Sequence, residues 1–284
     1  MTGPEVRAGA DSRPWIALRV EGFANAQAVS TALFEAGSQG VHEDGSAIVT
    51  HFPPDHDIEA VAASVREIDP SASLTIGQAP LLDWSEWRAS VRAHRIGRLT
   101  LAPPWLADET DRMQVVIEPA MAFGTGEHAT TRGVVRLMQQ LPSMPANVAD
   151  AGSGSAVLAI CAARLEASTV YAIELDHDAI GNAESNVEQN GVTGRVHVLE
   201  GDAAVLLPLV APVGLVLANI ISSVLVSLLP VIHDSLEPGG HAILSGILGE
   251  EKDAMLAELG KAGWRVISDD EEESWWSVLI ERQP

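Results

Sequence analysis

Between Val148 and Ile160 a short apolar run, Val148-Ala149-Asp150, passes directly into Ala151-Gly152-Ser153-Gly154-Ser155-Ala156 and then into Val157-Leu158-Ala159-Ile160. Strand, glycine-rich turn and helix in immediate succession leave few foldable arrangements. The helix packs back on its strand, its unpaired N–H groups face out over the strand end, and the glycines let the backbone approach a ligand there. The same rhythm recurs. Thr169 to Glu174, Val196 to Leu199, Leu215 to Asn219 and Ala242 to Ser245 each precede a turn or helix. Five such strands imply a doubly wound parallel sheet. Trp264 to Ile267 and Trp275 to Ile280 have no long helix between them and are expected to add an antiparallel edge, which makes seven strands.

The first third of the chain has a different texture. Trp15 to Val20 alternates like a strand, and Asn25 to Ala36 carries Ala28, Ala32, Leu33 and Phe34 near helical spacing before Gly37. Gly40 to His42 and Ala47 to Phe52 flank Glu43-Asp44-Gly45-Ser46, a hairpin turn by composition. Ile58 to Ile68 and Leu74 to Ala79 supply a second helix and a last strand. The order βαββαβ predicts a small α+β sandwich of the ferredoxin-like type over residues 1–79. Pro80 to Pro104 reads as a connector, with Trp84, Trp87 and Val91 at helical spacing for packing. The doubly wound domain then occupies 105–284.

Charge narrows the function classes. The 284 residues hold 17 Lys+Arg against 39 Asp+Glu, a formal charge of −22, and the lysines are Lys252 and Lys261. Such a surface repels phosphates, so sequence-independent nucleic-acid binding is not expected. Hydrophobic residues make up 46%, enough to bury a core. Cys161, alone, closes no intramolecular disulfide and fits a reducing cytoplasm; within the helix after the glycine loop it reads as a small buried apolar residue. Met1 to Pro14 lack the apolar core of a signal peptide. From Val205 to Ile232 no residue carries a charge. A membrane span is one reading, but Pro208, Pro212, Gly214, Asn219 and Pro230 interrupt it, and no flanking cations support it. A buried parallel strand followed by a well-buried helix is expected instead.

Candidate ligand residues gather at the strand ends. Glu174 closes the second strand, 22 residues after Gly152, where a carboxylate accepts hydrogen bonds from ribose hydroxyls. A nucleotide-like ligand follows. Dinucleotides and S-adenosylmethionine both use this arrangement, but the fingerprint G-x-G-x-x-G/A starting at Gly152 needs a small residue at position 157, and the chain has Val157. Neither this loop nor Gly124-Thr125-Gly126 continues as a P-loop. Phe123-Gly124-Thr125-Gly126-Glu127-His128-Ala129-Thr130-Thr131 precedes the first strand. Its glycines let it fold over a ligand, Thr130 or Thr131 caps the next helix or offers a hydroxyl, and His128 lacks partners at metal spacing. Asn219, ending the fourth strand, is either a helix cap or a reacting group. Asp202 in Gly201-Asp202 either approaches an adenine amino group or sits in a solvated turn.

Taken together, Glu118-Pro119, Ala122-Phe123-Gly124-Thr125-Gly126, His128, Thr130-Thr131, Asp150-x-Gly152-x-Gly154-Ser155, Ala218-Asn219-Ile220 and Ser245-Gly246-Ile247-Leu248 resemble the bacterial methyltransferases of ribosomal protein L11, the PrmA family. The resemblance spans nearly the whole chain. It implies a class I, Rossmann-like S-adenosylmethionine-dependent methyltransferase domain behind a small substrate-recognition domain. It also implies methyl transfer to lysine ε-amines and an N-terminal α-amine of ribosomal protein L11, without a metal, in the cytoplasm. Cofactor contacts are implied at Thr131, Gly152, Gly154, Glu174 and Asn219, with Phe123 to His128 as a lid, Asp202 near the adenine, and Asn219 also orienting the amine. Departures from the family are visible: Glu118-Pro119-Ala120 stands for Asp-Pro-Gly, Ala129 for Pro, and Ala156 for the third loop glycine. Glu174 for the usual Asp keeps the carboxylate and lengthens its reach.

Two other functions fit the same residues: a methyltransferase of another protein amine or a small molecule, and a non-catalytic nucleotide-binding module. A separate N-terminal domain argues for a protein substrate. The charge of −22 would steer the enzyme toward a free, basic ribosomal protein before assembly, or else serves solubility alone. A monomer is expected, since no pattern marks an obligate interface.

Overall fold

The structure, a computed structural model, describes residues 15–38, 41–44, 47–78, 91–118 and 126–283. It divides into two compact units, one up to Ser90 and one from Val91.

The first unit runs β1 (Ile16–Glu21), α1 (Ala26–Glu35), β2 (Val41–Asp44), β3 (Ala47–Phe52), α2 (Ile58–Ile68) and β4 (Ser73–Gln78). Its strands form one antiparallel sheet in the order β2-β3-β1-β4. Asn25 and Asp57 cap the two helices by accepting from Ala28 and Ala60 N–H groups, as short polar side chains do at helix starts. Asp69, just past α2, accepts from the Ala24 and Asn25 N–H groups and from Ser71, which ties the end of one helix to the start of the other. Leu18, Val20, Leu33, Ile48, Phe52 and Val65 fill the core. Positions 45 and 46 of the expected turn, and the connector's Trp84 and Trp87, lie outside the described residues.

In the second unit, residues expected in the connector form two strands, which a third strand from the following domain joins. β5 (His94–Ile96), β6 (Leu99–Ala102) and β7 (Gln114–Val116) make a small sheet, antiparallel between the first two and parallel between the last two. Strands of three or four residues are too short to show a period, so the sequence hides them.

The main sheet contains β8 (Asn147–Ala151), β9 (Thr169–Glu174), β10 (Val196–Glu200), β11 (Val213–Asn219), β12 (Leu236–Leu248), β13 (Trp264–Glu272) and β14 (Trp275–Arg282), ordered β10-β9-β8-β11-β12-β14-β13. The seven-stranded doubly wound expectation is borne out. β14 runs antiparallel to both β12 and β13 and lies between them. Side chains alternate across the sheet: Leu215 and Leu217 pack with α3 (Ala129–Met138), α4 (Val157–Arg164) and α5 (His177–Gln189), while Val216 and Ala218 pack with α6 (Ala203–Val210), α7 (Ser222–Ser235) and α8 (Lys252–Lys261). Each buried leucine or valine side chain among these is worth about 1.5–3 kcal/mol. Helices on both faces leave the carboxyl ends of the parallel strands as the open edge.

The uncharged stretch resolves into most of α6, the fully buried body of β11, and α7. α7 buries Leu225, Leu228, Leu229 and Ile232 and leaves Val224 and Val226 exposed, so it is buried on one face rather than throughout. Among the described residues no helix is long and apolar enough to cross a membrane.

Candidate functional site

At the carboxyl edge a cavity of about 470 Å³ opens between the ends of β8, β9, β11 and β12. Gly152, Gly154, Glu174 and Asn219, four of the residues singled out in the sequence, line it together. Val157, Leu158, Ile220, Ile221 and Val224 make most of the wall apolar, and Trp275 and His128 close one side.

The glycine loop is held by its backbone. The Gly152 and Ser153 N–H groups both donate to the Ile173 carbonyl on β9, at 2.9 and 3.0 Å. Gly152 has φ +73°, and a Cβ there would lie 2.5 Å from Ile220 Cγ2. Ala156, at the position where the resemblance implies a third loop glycine, takes the same left-handed conformation at φ 63°, ψ 18° and forms the N-cap of α4 without a side-chain cap. An alanine there therefore keeps the left-handed loop shape, at a cost of about 1–2 kcal/mol for a Cβ in that region. Beneath the loop Asp150 is fully buried. Its Oδ2 accepts from the Ala159 N–H at 3.0 Å, and its Oδ1 has no partner. Burial pushes this carboxyl up to about 7, and the charge of Glu174 adds to the effect. Ser153 Oγ, in the cavity wall, is likewise buried without a partner.

Glu174 reaches both sides of its strand end. Oε2 accepts from the Gly154 N–H at 2.7 Å and Oε1 from the Asp176 N–H at 2.9 Å. Each oxygen keeps a lone pair for a further donor. Asn219 ends β11 but caps nothing: the N-cap of α7 is Ile221, which corrects the capping alternative. Its Nδ2 donates to Thr131 Oγ1 at a long 3.5 Å. Thr131 is fully buried behind the wall, and Thr130 lines it. Neither threonine caps α3. That role falls to His128, whose Nδ1 accepts from the Thr130 N–H at 3.4 Å and bonds Thr130 Oγ1 at 2.7 Å. Burial holds the His128 pKa below its ordinary value, and its ring meets Trp275 edge-on at 5.0 Å. Asp202 is an exposed N-cap of α6, accepting from the Ala204 N–H at 2.8 Å, and does not line the cavity. Phe123 lies outside the described residues.

The wall carrying His128 and Trp275 is braced by charge. From α3, Arg132 Nε and Nη2 donate to Glu272 Oε1 on β13 at 2.9 and 2.6 Å, and Nη1 donates to the Glu127 carbonyl. Arg136 donates to Asp270 at 2.7 and 2.5 Å and to Glu272 at 2.6 Å. The hydrogen bonds from Arg132, with those from Arg136, lower the Glu272 pKa.

Ser153, Gly246 and Trp275 also line the cavity, although the sequence motifs assign them no ligand role. Gly246 sits at a break in β12–β14 pairing with φ +83°, and a Cβ would lie 2.4 Å from the Ile220 carbonyl oxygen. Its signal was present in the Ser245-Gly246 pair at a strand end. Nothing local marks Trp275, which reaches the cavity only because β14 inserts beside β12.

The sheet order, its single reversed strand and the loop-and-carboxylate site define a class I, Rossmann-like methyltransferase. The family model for ribosomal protein L11 methyltransferase (PrmA) matches residues 15–283, and the chain belongs to that family. It is 33% identical over 217 residues to the ribosomal protein L11 methyltransferase of Exiguobacterium sibiricum, covering 75% of this chain and 68% of that one. With the enzyme of the same name from Shewanella piezotolerans it shares 32% over 275 residues, 86% of this chain and 91% of that one. Among solved structures, the ribosomal protein L11 methylase from Lactobacillus delbrueckii subsp. bulgaricus superposes with a TM-score of 0.61 at 25% identity, covering 68% of this chain and all of that one.

Proposed function

We propose that this protein transfers methyl groups from S-adenosyl-L-methionine to lysine ε-amines and the N-terminal α-amine of ribosomal protein L11, free and before assembly. The observation that carries the reading is one cavity in which the glycine loop, Glu174 and Asn219 converge on an apolar wall, in a chain whose residues 15–283 match the family model. The residues present fit the cofactor. Glu174 has lone pairs for ribose hydroxyls, the apolar wall suits an adenine ring and a thioether chain, and the orphaned Ser153 Oγ gains a partner. Val157 lines the wall with a branched side chain where a dinucleotide needs a small residue.

The bound cofactor supplies an activated methyl group on a sulfonium. The chain's residues have the lesser task of holding a nitrogen in line and dry. A lysine of pKa near 10.4 exposes its lone pair at pH 7.4 for about 4 kcal/mol, less when desolvated beside a positive charge. Asn219 orients the amine or cofactor through its amide oxygen, since its Nδ2 is turned to Thr131. The unit up to Ser90 recognises the protein substrate, and the enzyme acts as a monomer in the cytoplasm.

Incubation with labelled S-adenosylmethionine and purified L11 tests the proposal, with calorimetry of the cofactor alongside. Label is expected on L11, with cofactor affinity reduced at least tenfold in Glu174→Ala and turnover reduced in Asn219→Ala. Label on other amines only would move the substrate, and cofactor binding without transfer would leave a non-catalytic module. The charge of −22 predicts an association rate that falls as salt rises; an unchanged rate would remove electrostatic steering.

A further inference from the structure

α4 presents its N-terminus to the cofactor cavity. Its other end, eight residues on and so about 12 Å away, borders a second concavity of about 350 Å³. Arg95, Arg98, Met113, Arg164, Leu165 and Glu166 line it, and none of them lines the first cavity.

Three arginines around one hollow are unexpected in so acidic a chain. Several of the other cations are taken up by carboxylates, Arg19 by Glu21, Arg132 by Glu272, Arg136 by Asp270, Lys252 by Asp269 and Arg265 by Glu281, and Arg195 and Arg282 donate to backbone carbonyls. Among the described residues no carboxylate lies within ion-pair distance of Arg95 or Arg98, and Glu166 pairs with none of the three arginines. Helix-end chemistry accounts for Arg164, whose Nη2 donates to the Asn190 carbonyl at 2.9 Å while its Nε stays buried and unpartnered. It does not account for the other two.

Their backbone is fixed. Arg95 lies in β5 and Arg98 in the β5–β6 turn, where Gln139 Oε1 accepts from the Arg98 N–H at 2.7 Å and Gln139 Nε2 donates to the Ile96 carbonyl at 2.9 Å. Gly97 makes the turn at φ +60° and leaves no room for a Cβ against Gln139. A clamped turn thus presents two exposed guanidinium groups beside a third that is tethered.

We propose that this hollow binds a compact phosphate-bearing anion, a diphosphate or the phosphate end of a nucleotide. The planar guanidinium fork matches phosphate oxygens in pairs, and the arginines outnumber the single Glu166. A nucleic-acid strand carries the same group but must run on past a surface of net charge −22, whereas a compact anion responds to charges within a Debye length of about 8 Å.

Calorimetric titration with inorganic pyrophosphate, against chloride at matched ionic strength, tests this. Saturable binding below about 1 mM is expected. Arg95→Ala/Arg98→Ala is expected to weaken it at least tenfold, and Arg98→Lys, which keeps the charge and loses the fork, by an intermediate factor. Both side chains are exposed, so thermal melts of the variants should match the parent. No saturable heat, equal affinity in the double variant, or binding of a single-stranded RNA oligonucleotide where pyrophosphate fails would overturn the proposal.

Discussion

Opposite walls of the candidate cavity are held by opposite physics. The glycine-loop wall rests on burial and backbone conformation: Asp150 is wholly enclosed, Gly152 and Ala156 sit in the left-handed region, and Gly246 abuts the Ile220 carbonyl. The His128 and Trp275 wall rests on ion pairs from Arg132 and Arg136 to Glu272 and Asp270, partly open to water. A buried carboxyl is most comfortable protonated, and a paired one ionised. Acid therefore favours the first wall and weakens the second.

The comparison is broken most severely at Gly246. In Gly246→Ala the new Cβ meets backbone rather than a movable side chain, in a conformation L residues avoid. A loss of at least about 3 kcal/mol in urea unfolding is expected, because the Ile220 backbone, whose N–H donates to the Ser245 carbonyl on β12 at 3.1 Å, cannot retreat without giving up that bond. Gly152→Ala meets only Ile220 Cγ2 and should cost about 1–2 kcal/mol, with weaker cofactor binding in calorimetry. Equal effects of the two would show that β12 yields as readily as a side chain, and the first wall would not be conformationally fixed.

The pH signs separate the walls next. The folded pKa of Asp150 is about 7 against an ordinary 3.8, so its stabilising contribution is complete below 3.8 and is lost as pH rises to about 7. Between pH 5 and 7 this amounts to about 2 kcal/mol. Asp150→Asn should flatten that slope in urea midpoints measured from pH 5 to 8; a slope kept in the variant would place the titration elsewhere. Glu272 behaves inversely. Its folded pKa lies below 4.5, so its contribution is present above 4.5 and lost as pH falls through the depressed value. Arg132→Met removes the first cause of that depression. It is expected to cost about 1–2 kcal/mol near neutral pH, to lower turnover by loosening His128, and to make the protein less sensitive to salt. A variant with parental salt sensitivity would show that the second wall does not depend on charge.

These walls also differ in how openly the sequence displays them. Loop 150–156, Glu174 and Asn219 lie within single strand-turn-helix units, so local pattern alone places them at one edge. The second wall depends on β14 inserting between β12 and β13, a tertiary choice that brings Trp275 beside His128 across 147 positions (275 − 128). No periodicity encodes that. Capping went to His128 rather than a threonine because both threonines are buried against the sheet. Asp202 shows the converse: a carboxylate at a strand end satisfied by its own helix, indistinguishable in sequence from a ligand contact.

Ala156 offers the finest measure of how far conformation holds the first wall. Its φ of 63° and ψ of 18° are those a glycine adopts without strain, and the residue is fully buried, so only a methyl group separates the two. Removing it relieves about 1–2 kcal/mol of left-handed strain and adds back some of the chain entropy that glycine loses on folding, about 0.5–1 kcal/mol. Ala156→Gly is therefore expected to stabilise the protein by roughly 0.5–1 kcal/mol in urea unfolding, with cofactor affinity unchanged. A destabilised variant would mean that the methyl group's packing outweighs the strain. The wall would then be held by burial alone, with backbone conformation following from it.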